Sequence, residues 1–259
     1  MYHYNFFQWI MFFFVYCFFG WCIESTIVSI SKRQLVNRGF LQIPMLPLYG
    51  TGAVLILFLT IPVKEVLWLV YLIGAIGATI LEYITGWAME SLFKMKYWDY
   101  SNQKFQLHGR ICLTSSLFWG VLSVALTEYI HPPIEQWILR INPAVLIAVT
   151  CISTCIMLVD TIVSAKAALD LAKVLEHLSV VRDEIEHLRL QLDELKENAQ
   201  EHTELIRKRL NELSEQREAE ISHLGFFKFH LLRGHPSSYS KKFNTTLHEL
   251  KERIYNKKG

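Results

Sequence analysis

Apolar residues fill the first two thirds of the chain in five long runs separated by short polar breaks. Their lengths predict helices over roughly 5–30, 46–62, 66–93, 111–130 and 144–165. About 20 apolar residues are needed to cross a bilayer as a helix, so the pattern predicts five membrane crossings. Prolines punctuate it: Pro44 and Pro47 precede the second run, and Pro62-Val63-Lys64-Glu65 makes a turn before the third. His131-Pro132-Pro133 closes the fourth helix, and Pro143 opens the fifth. Gly50 and Gly52 in the second run, and Gly74, Ala75, Gly77, Ala78 and Thr79 in the third, form small-residue faces. Such faces let backbones approach closely in lipid.

Beyond residue 165 the period changes to seven. Leu171, Val174, Leu178, Val181, Ile185, Leu188, Leu192 and Leu195 alternate in steps of three and four, the seam of a coiled coil or helical hairpin. The register then decays through Ala199, His202, Ile206, Arg209 and Leu213. A seam of this kind expects a homo-oligomer or a partner protein through residues 171–213. Gly225 breaks the run, and Phe226, Phe227, Phe229, Leu231 and Leu232 follow, a group suited to the membrane surface. After the hinge 234–238, residues 241–257 form a short amphipathic helix with Phe243, Leu247, Leu250 and Ile254 on one face. The domains are therefore 1–165, a transmembrane domain; 166–224, a cytoplasmic coiled-coil helix; and 225–259, an amphipathic tail. The fold class is all-α, a polytopic membrane bundle with a helical C-terminal region.

The chain repeats itself. Gly20-Trp21-Cys22-Ile23-Glu24-Ser25 returns as Gly86-Trp87-Ala88-Met89-Glu90-Ser91. Each copy ends a long apolar run. Each is followed by a polar loop with an Arg beside a Gly (Arg38-Gly39, Gly109-Arg110), then by an aromatic–Gly pair (Tyr49-Gly50, Trp119-Gly120). This is a two-helix unit used twice. Of the 259 residues 52% are hydrophobic, with a mean hydropathy of +0.24 that averages an apolar half and a charged half. The net charge of +2 matters less than its placement. Loop 31–44 carries Lys32, Arg33 and Arg38, and loop 94–110 carries Lys94, Lys96, Lys104 and Arg110, while the other two loops have only Lys64 and Arg140. By the positive-inside rule the first and third loops are cytoplasmic, the N-terminus is outside and the charged C-terminal half is inside. The two units then share one orientation, related by an axis along the membrane normal. The N-terminal run lacks preceding basic residues and a small-residue cleavage site, so it is expected to be a retained helix rather than a signal peptide.

Several chemistries find no support. The chain has no basic, aromatic-interleaved patch for nucleic acid, no phosphate-cradling Gly-x-x-x-x-Gly-Lys-Ser/Thr loop and no His-Glu-x-x-His. Gly-x-Ser-x-Gly is missing too, so Ser25, Ser91, Ser115 and Ser116 have no nucleophile elbow. Cys17, Cys22, Cys112, Cys151 and Cys155 contain no Cys-x-x-Cys and read as small buried thiols. No enzyme activity, cofactor or metal is expected. Carboxylates within the apolar runs are the informative residues, because one near the bilayer centre costs about 2.5–3.5 kcal/mol. Glu24, Glu82 and Glu90 need partners. Arg38 and Arg110 supply them, Arg38 for Glu24 and Arg110 for Glu90, or crossed between units, with His108 beside Arg110. Glu24, Arg38, Glu82, Glu90, His108 and Arg110 line a polar cavity open to the cytoplasm, or else fix helix register and nothing passes. Trp21 and Trp87 serve as interfacial anchors or ligand stackers. Asp160 begins the charged helix, packs helices or takes part in a proton step.

Several stretches carry a family resemblance: the two Gly-Trp-x-x-Glu-Ser copies, Asn37-Arg38-Gly39-Phe40, Pro47-Leu48-Tyr49-Gly50, Leu81-Glu82-Tyr83, Trp98-Asp99-Tyr100-Ser101 and Gly109-Arg110-Ile111-Cys112-Leu113. Over roughly residues 5–165 the chain resembles the bacterial membrane family called putative ABC-transporter type IV, or CmpB-like. The resemblance implies an integral protein of the bacterial cytoplasmic membrane acting in transport, and it assigns no site residues. The expected function is a permease-like component for a small polar or amphiphilic substrate, surrounded by membrane lipid, with any ATPase on a separate subunit. The alternatives are a non-transporting scaffold or sensor working through the coiled coil, and a membrane enzyme acting on lipid.

Overall fold

The structure is a computed structural model and describes residues 4–194 and 200–256, without the side chains of 193, 194, 200–202, 255 and 256. It is all-helical. Helix α1 (Phe6–Lys32) is followed by α2 (Pro47–Thr60), which ends in a short 3-10 turn, Ile61–Val63. Helices α3 (Leu67–Phe93), α4 (Leu113–Ala125), α5 (His131–Leu139) and α6 (Pro143–Glu194) complete the bundle. Helices α7 (Gln200–Ser222), α8 (Phe226–Gly234) and α9 (Asn244–Asn256) follow. Before α4 a two-residue hairpin pairs β1 (Gln106–Leu107) with β2 (Ile111–Cys112).

Four helices are long and apolar enough to cross a membrane: Phe6–Lys32, Leu67–Phe93, Leu113–Leu139 and Pro143–Leu192. The second apolar run is shorter, Pro47–Val63. Its brevity has a local cause. After α1 the chain runs back along that helix until the Leu46 N–H reaches the Cys17 carbonyl at 3.0 Å, and Pro47 starts α2 only there. About 25 Å of helix, at 1.5 Å per residue, completes the path.

His131-Pro132-Pro133 does not end the fourth helix, contrary to the sequence expectation. A π turn at Leu126–Ile130 joins α4 to α5, with the His131 N–H donating to the Leu126 carbonyl. A proline in an α-helix lacks one N–H and crowds the carbonyl four residues back. The wider π turn gives the rings room and carries the helix past them. Thr60 and Thr127 meet across this point through a buried hydroxyl contact of 2.9 Å. The small-residue positions do what their size allows: a Cβ on Gly74 would fall 2.2 Å from Ser123 Cβ, and one on Gly50 2.3 Å from Cys17 Sγ. The close pairs α1–α2 and α3–α4 are built on such contacts.

The C-terminal half is not a single coiled-coil rod. Helix α6 passes residue 165 without a break, and α7 returns antiparallel beside it: Arg209 pairs with Glu184 at 3.0 Å, and His177 meets Glu220 at 2.7 Å. Val181 and Ile185 bury against Leu213, with Leu188 and Leu210 packed on them. Leu195 and Ala199 lie outside the described residues, as does the His202 side chain. Nearer the bundle the apolar face of α6 is Leu171, Leu175 and Leu178, with Val174 at its margin. It is covered by Leu231 and Leu232 of α8 and by Phe243, Leu247 and Leu250 of α9. Phe93, Met95 and Tyr97, from the end of α3 and the loop after it, complete this core.

The segment containing α8 and α9 therefore forms a cap on the bundle. Lys96 and Tyr239 exchange backbone hydrogen bonds of 2.7 and 2.9 Å. Ser240 Oγ donates to the Lys94 carbonyl, and a Cβ on Gly234 would lie 2.6 Å from the Asn37 carbonyl oxygen. His235 is buried in this contact, edge-on to Tyr97 at 4.7 Å. Burial, and next the Arg38 guanidinium, hold its imidazole well below the usual histidine range. Burial lowers His230 as well, and brings Lys251 down to about 8. A histidine depressed on folding takes up its proton at a lower pH in the folded chain than in the unfolded one. The cap therefore keeps the contribution of its two histidines in full above about pH 6.5 and loses it below, by up to about 1.4 kcal/mol per pH unit per histidine, while Lys251 already costs stability as the pH falls from above 10 to about 8. Amide hydrogen exchange in 226–254 should accelerate between pH 6.5 and 5, relative to α3. The double variant His230→Gln, His235→Gln should remove that acid dependence; unchanged dependence would contradict the assignment.

Candidate functional site

The polar groups gather where α1, α3 and the loops after them meet the cap. Each loop is folded by its own side chains. In loop 33–46, Asn37 Oδ1 accepts from Trp21 Nε1 at 2.7 Å and from the Gly39 N–H at 3.0 Å, while its Nδ2 donates to the Gln42 carbonyl. Ser25 Oγ accepts from the Arg38 N–H. The Ile43 N–H donates to Asp160 Oδ2 at 3.0 Å, so Asp160 ties α6 to this loop.

Loop 94–112 is more tightly wound. Asp99 Oδ1 accepts from the Ser101 N–H and hydroxyl and faces Lys96 Nζ at 3.5 Å. Lys96 Nζ donates to the His108 carbonyl, the Tyr100 N–H to the Gly109 carbonyl, and Trp98 Nε1 to the Arg110 carbonyl. Gly109 sits at φ +69, where a Cβ would fall 2.4 Å from Asp99 Oδ1. Only glycine closes this knot. Its effect is to send two side chains back into the bundle, Tyr100 and Arg110.

Arg110 forms a two-pronged bond to Glu90 Oε2, at 2.8 Å from Nη2 and 3.1 Å from Nε. Its Nη1 donates to the Tyr83 hydroxyl, which also meets His108 Nδ1 at 3.2 Å. Lys241 of the cap approaches the other oxygen of Glu90 at 3.7 Å. Arg38 Nε lies 3.8 Å from Glu24 Oε2, while Nη1 donates to the Gly234 carbonyl of the cap. The Tyr49 hydroxyl donates to Glu24 Oε1 at 2.7 Å. Each Arg thus meets the Glu of its own sequence unit.

Glu82 stands apart from both pairs. It is 5% exposed and receives three neutral donors: Trp119 Nε1 at 2.9 Å, the Tyr100 hydroxyl at 3.1 Å and Ser115 Oγ at 3.4 Å. Among the described residues no cation pairs with it. It forms part of the wall of a cavity of about 460 Å³ between α1, α2, α3 and α4–α5. The rest of that wall is almost wholly apolar, including Phe19, Ile23, Ala53, Ile56, Ala78 and Leu122. Of the six expected site residues only Glu82 lines the cavity; Glu24, Arg38, Glu90, Arg110 and His108 form networks beside it. The expected polar cavity is an apolar one with a polar end. The sequence alone does not name Tyr49, Tyr100, Ser115 and Trp119 as partners of the acids, nor Tyr83 as a partner of Arg110. Tyr49 and Trp119 precede the glycines of the repeated aromatic–Gly pair, which was their one signal in the sequence. Trp87 is half-exposed on α3, away from the cavity wall.

These features define an all-helical membrane protein with a half-open cavity between its helices and a network of ion pairs at one end. The chain belongs to the family described as Putative ABC-transporter type IV, whose profile matches residues 11–165. Neither the curated proteins nor the solved structures give a match. The match ends within α6, before the helices of the cap.

Removing one partner of a largely buried ion pair costs about 3–5 kcal/mol, whereas an exposed pair is worth about 1 kcal/mol or less. Arg110→Ala should therefore lower the melting temperature of the purified protein by many degrees. Lys241→Ala, at a side chain 67% exposed, should leave it nearly unchanged. Equal effects would show that the geometry at Glu90 is misassigned.

Proposed function

We propose that this chain is the permease-like component of a transporter for a small polar or amphiphilic substrate, with ATP hydrolysis supplied by a separate subunit. The observation that carries the reading is the cavity between four helical segments, with Glu82 and its donor Trp119 in its wall. A cavity of this size lies within the range of ligand pockets, roughly 300–1,000 Å³. Membership of the transporter family supports the same reading.

The helices would cross a bacterial cytoplasmic membrane five times, with α2 as the short crossing. The N-terminus would lie outside, and the cap and hairpin in the cytoplasm. The basic loops support this orientation, since both lie at the end that the cap covers. The two hairpins α1–α2 and α3–α4 would be parallel repeats. Two like pairings support that relation: Arg38 with Glu24, and Arg110 with Glu90. Being few for a complete pathway, five helices would work as an oligomer.

In proteoliposomes, using small molecules identified by mass spectrometry of the purified protein, Glu82→Gln should reduce uptake at least tenfold while leaving membrane insertion intact. Uptake at the wild-type rate would remove the cavity from the pathway.

A second reading is a scaffold or sensor that recruits a partner through the hairpin. It is favoured by Val180, Leu190 and Leu205, which stay exposed on helices whose seam the chain has already filled. Under it, Val180→Glu with Leu190→Glu should abolish cross-linking between copies, or to a partner, without altering uptake. Persistence of the cross-links would eliminate this surface.

A further inference from the structure

The cavity's chemistry points to one class of occupant, and the inference rests on reading the cavity as the substrate site. Its walls are almost wholly apolar and carry one carboxylate, Glu82. Both nearby guanidiniums are already engaged, Arg110 on Glu90 and Arg38 on Glu24 and the Gly234 carbonyl. Neither lines the cavity. The other polar groups of the wall carry no positive charge: the Tyr49 hydroxyl donates to Glu24, Trp119 Nε1 donates to Glu82, and the Tyr16 hydroxyl meets His131 Nδ1.

Trp119, Tyr100 and Ser115 hydrogen-bond the Glu82 carboxylate without neutralising it. Neutral donors relieve part of the desolvation cost of a buried charge, and an opposite charge relieves the rest. An anionic headgroup here would meet Glu82 with no cation of the wall to offset it. We infer that the cavity binds an amphiphilic cation, its apolar body between α1, α2 and α4 and its positive centre against Glu82. Aromatic rings add to the attraction, since Trp119 and Tyr49, packed edge-on with ring centroids 6.0 Å apart, both line the cavity.

Gly52 supplies an independent handle. It lines the cavity, and a Cβ there would meet only Leu81 Cδ2 at 3.7 Å, an ordinary contact. A larger side chain at this position grows into open space rather than into a helix. Gly52→Leu therefore fills the cavity without removing any polar group.

The test is equilibrium binding to the full chain in lipid nanodiscs. The probes are tetraphenylphosphonium, the isosteric anion tetraphenylborate and neutral triphenylphosphine oxide, with empty nanodiscs subtracted. Tetraphenylphosphonium should bind saturably and at least tenfold more tightly than either control. Glu82→Gln should erase that preference, Glu82→Asp should keep part of it, and Gly52→Leu should block all saturable binding. Equal binding of cation and anion, or a cation preference that survives Glu82→Gln, would overturn the inference. Cation binding without uptake of the cation in proteoliposomes would leave the inference standing and count against transport. Glu82-dependent uptake of a neutral or anionic amphiphile would do the reverse.

Discussion

A carboxylate surrounded by apolar helices has to be met by donors, and here three of them determine the shape of one end of the bundle. Glu24, Glu82 and Glu90 lie on helices that offer them little, because an α-helix spends its own N–H groups on itself. Their donors come largely from outside those helices. Loop 33–46 delivers Arg38 to Glu24, and loop 94–112 delivers Arg110 to Glu90 and Tyr100 to Glu82. The hydrogen bonds that wind these loops make sense in that light. Asn37, Asp99, Lys96 and Gly109 touch no helix carboxylate, yet they fix the backbone from which the donors reach in.

The same demand explains the division between the pairs and the cavity. Arg110 brings a planar fork, and Glu90 accepts it with one oxygen while the other remains for Lys241. That site is saturated. Glu82 has only neutral donors, and the helices beside it leave an apolar space open. The two acids on α3, two turns apart, thus differ in kind: one closes a structural contact, and the other faces a volume that can be occupied.

Much of the fold was legible because its signals are local. Apolar length located the helices, and small residues such as Gly50 and Gly74 located the close contacts. The loop arginines announced the pairs with Glu24 and Glu90. What escaped was set by geometry that spacing does not encode. His131-Pro132-Pro133 reads as a stop, because the π turn that admits it depends on packing around Leu126 and Thr127. A seven-residue period reads the same whether the covering helix belongs to another chain or returns from this one. Leu175 is fully buried although it lies off the predicted seam, because α8 and α9 approach α6 from a different side than α7 does. A sequence draws attention to charges rather than to absent volume, so it points to a polar cavity or a register-fixing network, and not to an apolar space with one carboxylate at its end.

The cap raises the question of what holds it. Its charged contacts look prominent, with Lys241 on Glu90 and Arg38 on the Gly234 carbonyl. Lys241 is mostly exposed, and an exposed pair adds at most about 1 kcal/mol. Leu231, Leu232, Phe243, Leu247 and Leu250 are each buried to 4% exposure or less against α6 and the 93–97 segment. Burying a side chain of that size is worth about 1.5–3 kcal/mol. Apolar burial therefore outweighs the ion pairs, and the Lys96–Tyr239 backbone exchange fixes the register in which it happens. Glu90 and Arg38 do not hold the cap in place; the cap only adds one contact to each, an exposed ammonium to Glu90 and the Gly234 carbonyl to Arg38.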